Sequence, residues 1–515
     1  MTPARPAVLV LALAVAACAP ARIGAGAAAT HTAQTSPLAA DLDALFDTPP
    51  FDTAVWSVRI ETLASQGTTE PPNRVLYEKN PRTLVMPASN MKIVTMAAAA
   101  ETLGWDYRFE TTLAAEGEVR DGVLHGDLRV IGGGDPSISS ADFGPAPLLG
   151  EWARALRTAG ITRVTGRVIG DDDVFDNQIL GSGWAWNYLA YGYAAPVSGL
   201  QYGESVAVLR IQPGATAGTA ATVLASPPGH GLDVRSSVTT SEPDAGASIS
   251  LARRPGDPVL RVGGSVPAGG SVAIRTASVD NPTLFFAEGL RLALIETGIR
   301  VDGVAVDGDA IDEPARGRRV LATHRSAPLS ELGAYFMKVS QNVYGETFLK
   351  AMGRKASGGA GSLASGRAAV DGVLEAWGIP AGTYAIHDGS GLSRYNEISA
   401  WLVATVLRKM YEDERHRGWF LAALPVSGHD GTLDGRMAGT ELQRAVQAKT
   451  GTIANARALS GFLTAPSGER YIFSIIANNF LRPSSEVDAI AEGALKRVLR
   501  EARPAAPRAP VPARR

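Results

Sequence analysis

A serine and a lysine three positions apart are the first residues of this chain that could act together chemically. Ser89 and Lys92 open an apolar, alanine-rich segment that ends before Gly104, a pattern that predicts a helix. Side chains three apart share a helical face, and the positive helix N-terminus favours negative charge on the serine. A serine becomes a useful nucleophile only beside a base, and a lysine is a base only when burial or a neighbouring cation lowers its pKa. We therefore interpret Ser89 and Lys92 as a candidate nucleophile and base.

This pairing occurs once, because no other lysine has a serine three residues before it. Alone it is weak evidence, since a helix-capping serine followed by a solvated lysine gives the same pattern. The assignment therefore depends on partners elsewhere in the chain.

One candidate partner is Ser340-Gln341-Asn342, within a stretch predicted to be helical from 330 to 352. Ser340 can pass protons, and Asn342 can hold a substrate amide. Residues two apart do not share a helical face. Both side chains can therefore enter one site only if the helix breaks between them.

A second candidate is Lys449-Thr450-Gly451-Thr452, which continues a predicted strand and precedes a predicted hairpin. A strand with a cation, a hydroxyl and a glycine that leaves the backbone accessible can bind an extended peptide that ends in a carboxylate. The alternative is an edge strand protected by its lysine.

Composition limits the function classes. The chain has 515 residues, which predicts roughly three domains, and a net charge of -2, which gives no electrostatic footprint for nucleic acid. Cys18 is the only cysteine, so neither a disulfide framework nor a cysteine-based metal site is expected.

An acidic run, 171–176, lacks EF-hand spacing, which favours a solvated turn over a cation site.

The N-terminus predicts export. Residues 1–18 carry Arg5 and then an apolar run that is too short to span a bilayer, as in a secretory signal peptide. Residues 15–18 also resemble a bacterial lipobox, which would leave Cys18 as a lipid anchor; ordinary cleavage nearby is the alternative. No other segment has the pattern of a transmembrane helix. Residues 19–40 are predicted to be a flexible tether.

Taken in order, the S-x-x-K, S-x-N and K-T-G motifs resemble those of penicillin-binding proteins and serine β-lactamases. The long segment between Lys92 and Ser340 is similar to the nested insertion of class C low-molecular-mass penicillin-binding proteins, the D-alanyl-D-alanine carboxypeptidase and endopeptidase type. Class A β-lactamases have no such insertion. The stretches 388–396 and 424–433 also match, and the resemblance covers 42–500. Gln341 stands where an aspartate is common.

This resemblance implies catalytic roles. Ser89 would attack the carbonyl between two terminal D-alanines and form an acyl-enzyme, while Lys92 takes its proton. Ser340 would relay a proton to the leaving group, assisted electrostatically by Lys449. Water would then release the acyl group. No metal or organic cofactor is implied.

The resemblance also implies binding roles. Asn342 would bind the peptide amide of a peptidoglycan stem peptide. Lys449 and Thr450 would hold the terminal carboxylate, or that of an inhibitory β-lactam. The backbone N–H groups of Ser89 and Thr452 would form the oxyanion hole. Such a protein would act in the bacterial periplasm or cell envelope.

The implied fold is α+β. It has an antiparallel sheet built from both ends of the chain, with a C-terminal helix on one face and a helical cluster carrying Ser89 and Ser340 on the other. The expected division is a catalytic domain at 41–106 and 322–500, an inserted accessory domain at 107–211 and 279–321, a nested β module at 212–278, and a disordered tail at 501–515.

Two alternatives stay open. One is another serine–lysine acyl hydrolase, such as a β-lactamase or an esterase, although the sequence shows no extra carboxylate base for fast deacylation. The other is a non-catalytic envelope protein that binds peptidoglycan. A Ser-His-Asp hydrolase is disfavoured, because no G-x-S-x-G motif occurs and His387 and His429 are predicted to lie in loops.

Overall fold

The computed structural model describes residues 36–63, 73–139, 147–312 and 317–502, so the predicted leader, nearly all of the tether and the tail from 503 lie outside the described residues. The described residues form helices α1 Pro37–Phe46, α2 Met91–Leu103, α3 Pro147–Thr158, α4 Pro282–Glu296, α5 Leu329–Val339, α6 Asn342–Ser357, α7 Leu363–Ala376, α8 Ala400–Glu412, α9 Glu414–Ala423 and α10 Ser484–Glu501.

The strands are β1 Val55–Thr62, β2 Val75–Lys79, β3 Glu110–Arg120, β4 Val123–Ile131, β5 Arg163–Val164, β6 Val168–Asp171, β7 Val206–Gln212, β8 Thr222–Ser226, β9 Asp233–Ser236, β10 Thr239–Ser241, β11 Ser248–Ala252, β12 Val259–Pro267, β13 Ala273–Ser278, β14 Arg300–Val301, β15 Ala305–Asp307, β16 Arg319–Arg325, β17 Val446–Ile453, β18 Ala456–Thr464 and β19 Arg470–Asn478. The predicted α+β class is confirmed.

A five-stranded antiparallel sheet, in the order β17-β18-β19-β1-β2, unites the two ends of the chain. Its central strands β18 and β19 are buried almost throughout, because helices cover both faces of the sheet. A strand covered on both faces carries a continuous apolar run rather than an alternating one. The strand β17, which carries Lys449, lies at the edge of this sheet.

The sheet separates two apolar layers. On one face, α1 and α10 pack over a core that includes Leu42, Phe46 and Trp56. On the other face, α2 and α5–α9 form the helical cluster. Most residues of α2 are buried, and its run of four alanines from 97 to 100 offers little side-chain volume. Neighbouring elements can therefore approach α2 closely.

The inserted region contains a seven-stranded sheet, whose main order is β14-β5-β4-β3-β16, with β6 pairing β4 and β15. The helices α3 and α4 pack on it around a core that includes Trp152 and Phe286. A smaller unit has two further sheets, β13-β7-β8 and the group of β9, β10, β11 and β12, with an apolar core of its own.

Three boundaries differ from those expected from the sequence. The tether was expected to reach residue 40, but α1 begins at Pro37 and Leu38 is buried against the sheet core. The strand β16 crosses the expected 321/322 boundary, because it pairs with β3 of the inserted sheet. The nested unit begins at Val206 rather than 212, because β7 pairs with β8 and β13.

Among the described residues, no helix is both long and apolar enough to cross a membrane.

The packing of α1 predicts that Leu38→Ala lowers the free energy of unfolding by about 2 kcal/mol, through lost burial and the cavity left behind. Urea denaturation of the purified protein measures this. The matched control is Ala40→Ser, an exposed position on the same helix, where the change should stay within about 0.5 kcal/mol. Equal stability of the two variants would contradict the packing of α1 on the fold.

Candidate active site

Ser89 lies in a 3-10 turn, Ala88–Asn90, directly before α2. This turn is joined to the central sheet by buried hydrogen bonds. Asn90 Nδ2 donates to Ser460 Oγ of β18 at 2.6 Å, and the Met86 N–H donates to Asn478 Oδ1 of β19 at 2.8 Å. The serine is thereby held at the junction of sheet and helical cluster, as predicted for a site between these layers.

The turn also packs closely against β17. A Cβ added to Gly451 would lie 2.7 Å from the Pro87 carbonyl oxygen and 3.1 Å from the Asn90 nitrogen. The glycine of the K-T-G motif therefore allows close approach by the nucleophile turn of the same chain.

Lys92 is fully buried, and its Nζ has three neighbours from three separate segments. It lies 3.0 Å from Ser89 Oγ, 2.6 Å from Asn342 Oδ1 and 2.7 Å from the Ser390 carbonyl oxygen. Burial lowers the pKa of Lys92 to about 7, although the carboxylates of Asp388 and Glu346 oppose this shift. The predicted condition for a basic lysine is thus met by burial.

The partners of Lys92 also fix where its lone pair points. Asn342 Nδ2 donates to the Tyr193 carbonyl oxygen at 2.7 Å, so Asn342 Oδ1 faces the lysine. This oxygen and the Ser390 carbonyl can only accept hydrogen bonds. The two N–H groups of a neutral amine satisfy them, which leaves the nitrogen lone pair for the Ser89 hydroxyl.

The stretch predicted to be helical from 330 to 352 forms two helices, so the condition for a shared site, a helix break at the S-x-N motif, is met. Ser340 ends α5 in the left-handed conformation, with φ 65°, and Asn342 begins α6. The change of direction brings both side chains to one site: Ser340 Oγ accepts from Lys449 Nζ at 2.8 Å, while Asn342 contacts Lys92.

Lys449 is also fully buried, and it donates to the Thr450 carbonyl oxygen at 3.0 Å. Burial, and then the charge of Lys92, lower the pKa of Lys449 well below its usual range. The Thr450 hydroxyl donates to Thr432 Oγ1 at 2.8 Å. The Thr452 hydroxyl accepts from Arg457.

These residues border a cavity of about 700 Å³, a volume typical of small-molecule sites. The lining residues are Ser89, Tyr188, Tyr193, Ser340, Asn342, Gly391, Leu392, Thr452, Ile453, Ala454, Asn455, Phe480, Leu481, Arg482 and Ser484. Four of the seven predicted site residues line it directly. Lys92 and Lys449 form hydrogen bonds with lining residues, and Thr450 contacts Lys449. Among these described lining residues there is no carboxylate.

Sequence reasoning missed a buried carboxylate beside the base. Glu346 accepts from the backbone N–H groups of Gly389 and Ser390 at 3.0 and 2.9 Å, and so orients the Ser390 carbonyl that contacts Lys92. Burial, reinforced by the charge of Asp388, raises the pKa of Glu346. Its position four residues after Asn342, within an otherwise apolar run of α6, was an available signal.

The loop 388–396 is organised by a second buried carboxylate. Asp388 accepts from the backbone N–H groups of Gly391 and Ser393, at 2.8 and 2.6 Å. It also accepts from Trp184 Nε1 of the inserted region at 2.9 Å and from Asn396 Nδ2 at 2.6 Å. The sequence match at this stretch therefore corresponds to a buried hydrogen-bond network.

The acidic run of the insertion is bonded to protein groups rather than solvated throughout. Asp171 pairs with Arg318 at 3.4 Å, Asp172 accepts from Thr283 at 2.6 Å, and Asp176 pairs with Lys350 at 2.7 Å. The expected solvated turn is wrong for these carboxylates.

A separate group of Glu101, Asp413 and His416 has metal-ligand residue types. Trp105 Nε1, which can only donate, donates to His416 Nδ1 at 3.0 Å. The proton of a neutral His416 is therefore on Nε2, which faces Glu101 at 3.2 Å. A protonated nitrogen does not ligate a metal, so the geometry favours an Nε2–H group that faces the Glu101 carboxylate over a metal site.

Comparison with known proteins agrees with this geometry. Residues 38–500 match the D-Ala-D-Ala carboxypeptidase 3 (S13) family. The chain belongs to this family. The resemblance inferred from the motifs is confirmed, and the match spans both ends of the central sheet as well as the whole insertion.

Curated relatives include a D-alanyl-D-alanine carboxypeptidase of Actinomadura sp. (strain R39), 32% identical over 479 residues that cover 89% of this chain and 84% of the relative. Another is the D-alanyl-D-alanine carboxypeptidase DacB of Haemophilus influenzae, 27% identical over 418 residues, 79% of this chain and 83% of the relative. Among solved structures, penicillin binding protein 4 (dacB) of H. influenzae superposes with a TM-score of 0.75 at 23% identity, covering 89% of this chain and 98% of that one. This likeness shows the fold.

The close approach at Gly451 predicts that Gly451→Ala lowers the free energy of unfolding by about 1–3 kcal/mol, because the added methyl group forces β17 away from the nucleophile turn. Chemical denaturation measures this cost. Gly435→Ala is the control: it is exposed, and an added Cβ meets nothing within 4 Å. A Gly451→Ala protein as stable as the control would contradict the packing described.

Proposed function

We propose that this protein is a serine-type D-Ala-D-Ala carboxypeptidase that acts on peptidoglycan stem peptides through an acyl-enzyme at Ser89. The observation that carries the proposal is the position of the Lys92 amine, 3.0 Å from Ser89 Oγ, with its other two neighbours restricted to accepting hydrogen bonds. Membership of the S13 family supports the substrate class.

In the acylation step, Ser89 Oγ attacks the carbonyl carbon of the bond between the two terminal D-alanines, and its proton passes to Lys92. The backbone N–H groups of Ser89 and Thr452 are the proposed oxyanion donors, a type of interaction that often contributes 10²–10³-fold or about 3–4 kcal/mol. The C–N bond then breaks, and the leaving amine takes a proton relayed by Ser340. Lys449, 2.8 Å from Ser340 Oγ, assists this transfer electrostatically.

Substrate binding is proposed to use the same edge strand. The carboxylate of the terminal D-alanine binds Lys449 and Thr450. Its negative charge stabilises the ammonium form of Lys449, whose pKa is lowered by burial. Asn342 binds the peptide amide. The carboxylate of a β-lactam occupies the same position, which makes β-lactams inhibitors.

Deacylation by water completes the cycle, and no cofactor takes part. The absence of a carboxylate among the described residues that line the cavity supports slow deacylation of a β-lactam. The alternative of a fast β-lactamase or an esterase of the same fold, and that of a non-catalytic peptidoglycan-binding envelope protein, predict different labelling results.

DD-endopeptidase activity is part of the proposal. The two reactions differ only in the leaving group, which is free D-alanine or the side chain of a cross-linked strand. Tyr188 and Tyr193 of the insertion border the cavity and limit what fits there. Release of D-alanine from a pentapeptide and cleavage of a cross-linked muropeptide dimer, measured side by side, separate the two activities.

The proposed location is the bacterial periplasm or cell envelope, reached through the leader at 1–18. Lipid attachment at Cys18 is the accompanying proposal. Mass spectrometry of the mature N-terminus, with Cys18→Ala as comparison, distinguishes a lipidated cysteine from ordinary cleavage.

Labelling with a fluorescent penicillin tests the acyl-enzyme. We expect a slowly decaying covalent adduct on the wild type and none on Ser89→Ala, because the nucleophilic oxygen is absent. Ser271→Ala, at an exposed serine of the nested unit, should label like the wild type. Rapid turnover without a lasting adduct would indicate a β-lactamase, and folded wild type without acylation or turnover would indicate a non-catalytic protein.

The pKa of Lys92 predicts the pH dependence of acylation. Only the neutral amine accepts the Ser89 proton, and its pKa is about 7. The acylation rate constant should therefore be constant above this pH and decrease by about tenfold per unit well below it. Stopped-flow measurement with a chromogenic β-lactam provides the profile, and far-UV circular dichroism at each pH checks folding. A flat profile from pH 5 to 8 would exclude Lys92 as the base.

A further inference from the structure

Two contacts join the inserted region to the loop that carries Ser340 and Asn342. The carboxylate of Glu204 accepts from Tyr335 Oη at 2.7 Å and from Gln341 Nε2. The second contact is the hydrogen bond from Asn342 Nδ2 to the Tyr193 carbonyl oxygen, at 2.7 Å. The insertion therefore bonds to the residue between the two motif residues and to one of the motif residues itself.

Both sides of this contact hold non-glycine residues in the left-handed conformation. Glu204 and Ser205 have φ values of 57° and 58°, and Ser340 has φ 65°. This backbone conformation is strained in a non-glycine residue and persists only where its surroundings enforce it. The hydrogen bonds that Glu204 accepts from Gln341 and from Tyr335 hold the two strained segments against each other.

The orientation of Asn342 gives this contact a chemical consequence. A peptide carbonyl can only accept, so Tyr193 selects the rotamer in which Asn342 Oδ1 faces Lys92. The opposite rotamer would present an N–H donor to the lysine. The lone pair of the lysine would then be drawn away from the Ser89 hydroxyl.

We propose that Glu204 is a positioning residue for acylation: by holding Gln341, it keeps the Ser340–Asn342 loop in the geometry that directs Lys92 to Ser89. The inserted region is thus part of the catalytic apparatus. This inference rests on the proposed acylation of Ser89.

The residue at 341 matches its partner chemically. The Gln341 amide donates to the Glu204 carboxylate, whereas a carboxylate at 341 would place two like charges in contact. The aspartate that is common at this motif position would therefore be unfavourable beside Glu204, whereas the glutamine that stands there is a hydrogen-bond donor that Glu204 can accept from.

Variants of Gln341 and Glu204 test the proposal, including one in which the two side chains are exchanged. Gln341→Glu should lower the acylation rate constant, measured at saturating chromogenic β-lactam, by at least about tenfold, because the repelled loop misplaces Ser340 and Asn342. The double variant Glu204→Gln/Gln341→Glu reverses donor and acceptor and should return to within about threefold of the wild type. Glu204→Ala, which removes the acceptor without adding a charge, should also acylate more slowly than the wild type.

The matched control is Asp176→Asn, which weakens another contact between insertion and catalytic region, the 2.7 Å pair with Lys350. It should lower the melting temperature and leave the acylation rate constant per folded molecule unchanged. Circular dichroism and titration of reactive Ser89 measure the amount of folded protein, and each rate is expressed per folded molecule.

The outcomes separate this inference from the proposed function. If the wild type is not acylated, the proposed function itself fails. If the wild type is acylated and folded Gln341→Glu and Glu204→Ala react at the wild-type rate, Glu204 has no positioning role. A swap variant that is as slow as Gln341→Glu, although folded, would overturn the pairing of these two residues. Should Gln341→Glu not fold, the rates of Glu204→Ala and the swap variant decide.

Discussion

The burial of Lys92 is the constraint on which the rest of the site depends. An isolated ammonium inside a protein is costly, so the group either pairs or loses its proton. Here burial lowers its pKa to about 7, and two acceptors, Asn342 Oδ1 and the Ser390 carbonyl, occupy its N–H groups. The remaining lone pair is directed at Ser89. The basic character proposed for Lys92 thus arises from where the lysine is placed and from what surrounds it.

Keeping that environment requires buried groups of both charges. Glu346 and Asp388 organise the loop that presents the Ser390 carbonyl, and both raise the pKa of Lys92 in opposition to burial. Lys449 lies near enough for the charge of Lys92 to lower its pKa further. The two buried lysines therefore disfavour each other's positive charge, and a carboxylate bound beside Lys449 would stabilise its ammonium form.

Much of this protein was predictable from local patterns. The helix after Ser89 and the strands around Lys449 follow from apolar patterning and glycine positions. The geometry of side chains two residues apart set a helix break at Ser340 as the condition for a shared site, and the C-terminal helix was expected from the family resemblance. Domain boundaries were less accurate. The expected 321/322 boundary divided β16, because only the pairing of this strand with β3, more than 200 residues earlier in the chain, assigns all of it to the insertion.

The sequence by itself determined the motifs and their order, because these depend on residue identity and short spacing, and the resemblance that the motifs carry implied the family and its α+β class. Only the tertiary structure decided which neighbours of Lys92 are acceptors, and which groups Glu346, Glu204 and Gln341 contact. Those properties depend on burial and on hydrogen bonds between residues that are far apart in the chain. No local pattern records the carbonyl of Tyr193 that orients Asn342, since every residue has such a carbonyl and only the fold brings this one to the site.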